Sequence, residues 1–473
     1  VFSSTALEKV VLSDKMETLG SSTFNNLKTL KIVTYDSYTV KDATRFNDGY
    51  ENALPPSLTS LPSSLFSGCT SLKSMDLSNV KTVAGSLFKG CSALESVVLS
   101  TDLEVLGDYM FQNCTSLSSI EIPSSVTSLG KYAFDGCTKL TSIDLPETLT
   151  FMGTYTFRKT GLTSIVIPSG VKSFGTSATE CAASSNVYLF AECKSLTTVV
   201  LPANINDFKI GGYVFNNCTK LTTIKVGADG EENVLDGVTL VAQYAFSGCG
   251  ITELSLPDVT EVGKYSFSKG DLQSISLPAL TKHAEYVFSD SKKLTSVTLN
   301  DELESLAKYM FNGCTALEQI TLPSSLVFLN TYTFKGSGLK EIVIPEGVKH
   351  IGSSQNGAAN VSTPINTFEN CASLVKVTLP AGLETIGREV FKNCSNLTIV
   401  TYTGGAEYAL PASTRLVGNY AFQGCKSLTA LEMKGVETLG INVFDGCSSL
   451  TSVDLSSLST MGENVFEDCG KLL

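Results

Sequence analysis

The sequence predicts a single repeat solenoid, with a parallel β-sheet on one face and short helical turns and loops on the other. Three observations predict it: a Phe that recurs along the whole chain, a change of apolar spacing inside each interval, and a Cys in fixed register with the Phe. The Phe anchors stand at 24, 66, 88, 111, 134, 157, 190, 215, 246, 267, 288, 311, 334, 368, 391, 422, 444 and 466. Most gaps are 21 to 25 residues, and the longer ones are 42, 33, 31, 34 and 31, so the basic unit is about 23 residues with insertions. Phe2 supplies a further anchor, for about 19 units over residues 1–473. A chain this long ordinarily divides, because one core stops growing beyond roughly 250–300 residues. A repeat array escapes that limit by sharing its core only between neighbouring coils.

The strand comes first. After Phe134 the apolar residues fall at Leu140, Ile143 and Leu145. The period-two ending predicts a short strand with Ile143 and Leu145 inward, Ser142 and Asp144 outward. Similar strands are expected at Ser119 to Ile122, Ser274 to Leu277 and Ser296 to Leu299. Pro follows the strand at 123, 146, 168, 202, 257, 278, 323, 345 and 380, where its missing N–H ends the ladder. The helical turn is expected around the anchor. Gly or Asn stands two residues after Phe in most units, as at Gly136 and Asn113, and both tolerate the left-handed conformation of a helix cap.

Thirteen of the 14 Cys lie three residues after an anchor, and Cys181 is the exception. A disulfide scaffold is the obvious alternative, but a long chain with an ample core needs no staples, and Thr160, Gly270, Ser291 and Ser337 replace Cys singly. The expectation is a buried ladder of free thiols. Zinc would need converging ligands, usually in Cys-x-x-Cys pairs. The chain has no such pair and only 2 His.

Charge and composition narrow the function classes. With 34 Lys and Arg against 46 Asp and Glu, the formal charge is −12, and no basic block could neutralise phosphates. That argues against nucleic acid. No apolar run approaches the roughly 18 residues of a spanning helix, so no membrane span is expected. The chain opens at Val1 without a secretion-signal layout, and its ends stop inside a unit, with Lys471 opening a strand. The expectation is a longer gene product, or ends that pack against something.

The run Phe-x-(Gly/Asn)-Cys-x-x-Leu-x-x-(Ile/Val)-x-Leu-Pro, followed by a Gly-x-Tyr-x-Phe ending, resembles the BspA-like subclass of leucine-rich repeats. Residues 111 to 168 match best, and the likeness covers nearly the whole chain. The resemblance implies a curved, right-handed solenoid. It also implies a cell-surface or secreted protein of host-associated microbes, concerned with adhesion to host proteins or other cells.

A larger period overlies the small one. Phe157 through Phe288 map onto Phe334 through Phe466 with offsets of 176 to 178, so seven units form a higher-order repeat. Insertions are expected near 33–61, 175–187, 226–238, 353–365 and 402–416. Tandem copying explains their recurrence; functional loops on a rigid scaffold are the competing reading. Eleven of the 16 Tyr occupy the slot two residues before an anchor and are structural. The other five, Tyr35, Tyr38, Tyr50, Tyr402 and Tyr408, fall in insertions, where exposed aromatics would serve as contact anchors. On the strand face the outward slots are mostly Ser and Thr, with acids at Asp76, Glu121 and Asp144. Val166, Val200, Val343 and Ile399 add apolar spots.

The search for catalysis ends without a site. His283 takes an inward slot, expected to be buried and hydrogen-bonded, and His350 falls one residue before one, expected to be solvated. Neither has a nearby nucleophile outside the repeat pattern. The outward carboxylates could mimic a glycosidase pair but read more simply as solvated face residues. No cofactor motif is present. The sequence therefore points to a surface or secreted interaction protein that binds a protein or glycoprotein, host extracellular material included, through the strand face and inserted loops. A spacer that projects other domains is the alternative, and a glycan-active enzyme a remote one.

Overall fold

In the computed structural model the described residues are 5–38, 52–177, 180–203, 205–352 and 366–472. The chain forms two compact units, Val1–Ile251 and Thr252–Leu473, and each is a stack of the expected coils. In both, the Phe anchors are the spine of the core. Phe24 to Phe246 stack in the first unit with ring centroids 5.4–5.8 Å apart. Phe267 to Phe466 do so in the second at 5.3–5.6 Å. Burying each ring contributes about 1.5–3 kcal/mol; the offset stacking adds about 0.5–1.5 kcal/mol.

The anchor segment is not helical, and no helix occurs among the described residues. Every residue two before an anchor, from Ser22 to Asn464, has a left-handed φ, and so does every residue two after, from Asn26 to Asp468. A helix needs consecutive right-handed residues, so this alternation forbids one. It splits the backbone donors instead. The amides of Tyr132, Phe134 and Gly136 donate to Thr154, Thr156 and Arg158 of the next coil at 2.8–2.9 Å. Those of Asp135 and Cys137 close turns onto Tyr132 and Phe134 of their own coil. Gly or Asn after the anchor fits the left-handed requirement, but Lys159, Glu192 and Lys269 meet it too, because the inter-coil bonds enforce it.

A left-handed Tyr costs about 1–2 kcal/mol, and its ring offsets that by stacking. Tyr109, Tyr132, Tyr155, Tyr188, Tyr213 and Tyr244 form one ladder, with centroids 4.2–4.8 Å apart. Tyr265, Tyr286, Tyr309 and Tyr332 form another at 4.3–4.5 Å.

Two rows of parallel strands, not one sheet, make the other sides of each coil. In the first unit the first row includes Ser74–Asp76 with Ser96–Val98, and Ser164–Val166, Thr198–Leu201 and Thr223–Val226 in succession. The second row, just ahead of the anchor turn, includes Val105–Leu106, Ser128–Leu129 and Phe151–Met152. In the second unit the first row holds Glu253–Ser255, Ser274–Leu277 and Ser296–Leu299, then Glu341–Val343, Lys376–Leu379 and Ile399–Tyr402. Its second row includes Glu261–Val262 paired with Lys282–His283, and a run from Ser305–Leu306 through Phe328–Leu329, His350–Ile351, Thr385–Ile386, Leu416–Val417 and Thr438–Leu439 to Thr460–Met461. The glycine after a second-row strand permits the close stacking: a Cβ on Gly153 would sit 2.6 Å from the Lys131 nitrogen of the preceding coil.

All 14 Cys are free thiols. The thirteen in register each donate to the anchor Phe carbonyl of the preceding coil, as Cys137 does to Phe111, at 2.9–3.2 Å. Ser291 makes the same bond to Phe267 at 2.7 Å, which explains why a hydroxyl can stand in. Burial pushes the Cys69 thiol up to about 12 from the ordinary 9.0; Cys193, eased by the Thr160 hydroxyl, is pushed to about 11.

Two expected outcomes follow from the turn. Tyr155 has φ +63°, so Tyr155→Gly should unfold in urea at a higher midpoint than Tyr155→Ala, with an unfolding free energy about 1 kcal/mol larger. A folded Cys69 ionises only at about 12 and an unfolded thiol near 9.0. The unfolded chain therefore releases protons first. Stability, followed by thermal melts, is full below pH 9 and falls as pH rises toward 12.

Candidate ligand-binding face

The first-row strands present outward columns in register. In the first unit one column is Ser164, Thr198 and Thr223, and the next is Val166, Val200 and Lys225. Val166 is 62% exposed and Val200 half-buried, so these two apolar positions do come together. In the second unit Ser255, Ser276 and Thr298 form a hydroxyl column. Further along, Glu341, Lys376 and Ile399 share one column, and Val343, Thr378 and Thr401 the other. Val343 is 61% exposed. Ile399 is half-buried, two strands away in the neighbouring column. Asp76 accepts a hydrogen bond from the Ser78 amide at 2.8 Å, and Glu121 and Asp144 are exposed.

Both Val166 and Val343 lie on a strand that opens a new sheet. The strands expected at 119–122 and 142–145 are not formed, and neither is one at 319–322. Inward and outward alternation survives there, with Ile120 and Ile143 buried beside exposed Glu121 and Asp144. The ladder bonds do not form. Side-chain alternation decides which residue meets the core, whereas a ladder bond also needs the neighbouring coil within reach. At these coils the second row and the anchor turns stay bonded and the first row parts.

The insertions are partly built into the sheet. Asn52 is fully buried; its side-chain oxygen accepts from the Val33 amide at 2.8 Å, and its amide nitrogen donates to Lys31 and Ser74 carbonyls. With Ala53 it forms an extra rung between the Ile32–Tyr35 and Ser74–Asp76 strands. Asn233 clamps Ile224 and Thr222 in the same manner, and Ala409 bridges Val400 and Glu432. The repeated Ala-Leu-Pro phrase at 53–55 and 409–411 was the sequence signal for this rung.

The loop tyrosines follow from that construction. Tyr35 is buried and meets Tyr38 edge-on at 5.1 Å, so its ring serves the fold rather than the surface. Tyr402 is half-buried with its ring against Gly405, and Tyr408 is half-buried with φ +63°. Tyr50 and the 353–365 insertion lie outside the described residues. Bridge residues tie the 175–187 insertion to the second row at Phe174 with Ile210 and Asn186 with Gly212.

Each His has a hydrogen-bond partner on the following coil. His283 Nε2 lies 2.8 Å from the Ser305 carbonyl and His350 Nδ1 3.0 Å from the Thr385 hydroxyl. His283 is half-buried, short of the full burial expected, and His350 is half-buried rather than solvated, because its strand pairs with Thr385–Ile386. Among the described residues no group of three or more His, Cys, Asp or Glu could hold a metal ion, and no helix is long and apolar enough to cross a membrane.

The Asn52 rung can be checked directly. Asn52→Ala removes the bonds that Asn52 makes to the Val33 amide and to the Lys31 and Ser74 carbonyls, at about 1–3 kcal/mol for each group left unpaired. The expected outcome is a lowered urea midpoint together with fast hydrogen exchange at Val33; native protection there would show that the rung is held otherwise.

The sequence pattern described as BspA type leucine rich repeat region, in 6 copies, matches residues 1–115, 59–184, 184–232, 239–357 and 361–473. No curated protein matches the chain. Among solved structures, a leucine-rich repeat protein from Bacteroides ovatus is 22% identical, with 92% of this chain and 90% of that chain covered and a TM-score of 0.38. A leucine rich cell surface protein from Faecalibacterium prausnitzii is 20% identical, with 84% of each chain covered and a TM-score of 0.39. A pneumococcal vaccine antigen is 16% identical, with 96% of this chain and 88% of that chain covered and a TM-score of 0.37.

Proposed function

This chain belongs to the BspA-type leucine-rich repeat family, and from that premise we propose that it is a cell-surface or secreted adhesion protein. It holds a protein or glycoprotein ligand, host extracellular material included, on its first-row strand faces. The carrying observation is the pair Val166 and Val343, 62% and 61% exposed at matching positions on the strands that open a new sheet. Single exposed apolar residues are common on any surface. Here each has a hydroxyl-rich and charged surround, the arrangement of an apolar contact with a polar rim. Covering one valine contributes up to about 1.5–3 kcal/mol. Val200, Ile399, Tyr402 and Tyr408 extend the contact surface; Tyr35 and Tyr38 brace the first insertion from within. The location at the surface or outside the cell rests on the family.

The test is capture of purified extracellular glycoproteins by the immobilised full chain. Val166→Lys with Val343→Lys should weaken capture by at least about tenfold, about 1.4 kcal/mol, at unchanged melting temperature. A chain that captures nothing at all is a spacer.

A further inference from the structure

We propose that the break in the first row of the second unit is a docking cleft for an extended peptide segment with alternating aliphatic and cationic side chains, which completes the interrupted sheet. This rests on the reading of the strand faces as binding surfaces and names the partner's chemistry at one place.

The cleft lies between the Ser296–Leu299 and Glu341–Val343 strands, with residues 319–322 between them. Its volume is about 1110 Å³, just above the roughly 300–1,000 Å³ of small-ligand pockets. Three features select its occupant. The first is main chain: among the described residues no backbone hydrogen bond is made by Gln319, Ile320, Thr321 or Leu322. An unpaired run of amides and carbonyls is a template for strand addition.

The second is an apolar floor. Val297, Leu299 and Ile320 occupy inward positions yet are only half-buried. Their counterparts Ile275, Leu277 and Ile342 are 3%, 0% and 2% exposed. An aliphatic side chain from a bound segment would supply the missing wall, and Val343 stands at the edge of the same cleft.

The third is charge. Asp301, Glu341 and Glu346 line the cleft, and no Lys or Arg does. The Asp301 carboxylate accepts from the Ser324 amide and hydroxyl at 2.6 Å each, and Glu346 accepts from the Ala381 amide at 3.0 Å. Lys376, in register with Glu341, has its amine 4.0 Å from Glu407. The negative rim attracts a cationic segment and repels phosphates, which sets nucleic acid aside. Alternate side chains of an extended strand point to opposite sides, so a Lys–Val alternation offers aliphatic groups to the floor and cations to the rim.

The probe is a fluorescent, end-blocked hexapeptide of alternating Lys and Val, titrated onto the full chain. The Glu–Val counterpart should bind at least about tenfold more weakly, and so should a Lys–Val peptide N-methylated at alternate amides. Bound Lys–Val peptide should slow hydrogen exchange at Gln319–Leu322 by about tenfold. Combining Asp301→Asn, Glu341→Gln and Glu346→Gln should weaken binding by about tenfold, with a thermal melt run alongside to establish that the variant folds. Equal binding of the Glu–Val peptide, undiminished binding after N-methylation, or unchanged exchange at Gln319–Leu322 would each overturn the cleft. Peptide binding with these signatures supports it even where no glycoprotein is captured. Glycoprotein capture without peptide binding overturns it and leaves the broader reading standing.

Discussion

Each coil is tied to its neighbours through the carbonyl of its anchor Phe. That oxygen accepts the Cys amide of its own turn and the thiol of the following coil, as Phe111 does with Cys114 and Cys137. A carbonyl has two lone pairs, so both bonds can be made at once. The requirement explains why the position three after the anchor is Cys, Ser or Thr far more often than a larger residue. The space is closed and the acceptor is fixed, which suits a small donor; Gly270 fills the slot without one, and Thr160 donates to Phe157 of its own turn instead. It also explains the alternating backbone: residues two before and two after the anchor turn left-handed, so that every second amide reaches the next coil.

From this arrangement follows the division of labour in each unit. Phe rings, thiols and inward Leu and Ile residues are consumed by stacking, and burial keeps the thiols protonated. The Tyr ladders cover one another's ring faces, so they too are spent on the fold. What the stack leaves facing outward is the outward columns of the first row. The second row and the anchor turns bond continuously past Gln319–Leu322, which lets the first row part there without loss of the stack. A coil with three sides can open one and remain held by two.

The insertions show the same economy. Asn52 and Asn233 use a side-chain amide to imitate the peptide group, satisfying donors and acceptors that a longer loop would otherwise strand. The rung accounts for the tolerance of these segments in the stack.

The repeat, the inward residues, the free thiols and the family were legible in the sequence because each depends on spacing along the chain. Periods of two and of about 23 residues report local geometry and coil length directly. The left-handed Tyr and Lys159, the second strand row, the burial of Tyr35 and the parted first row at 319–322 were not legible. Each is decided by bonds between coils, and residues about 23 apart leave no local pattern that says how closely two coils approach. Alternation in Leu317, Ile320 and Leu322 assigns a core side; only the tertiary stack decides whether the neighbouring backbone comes within hydrogen-bond reach.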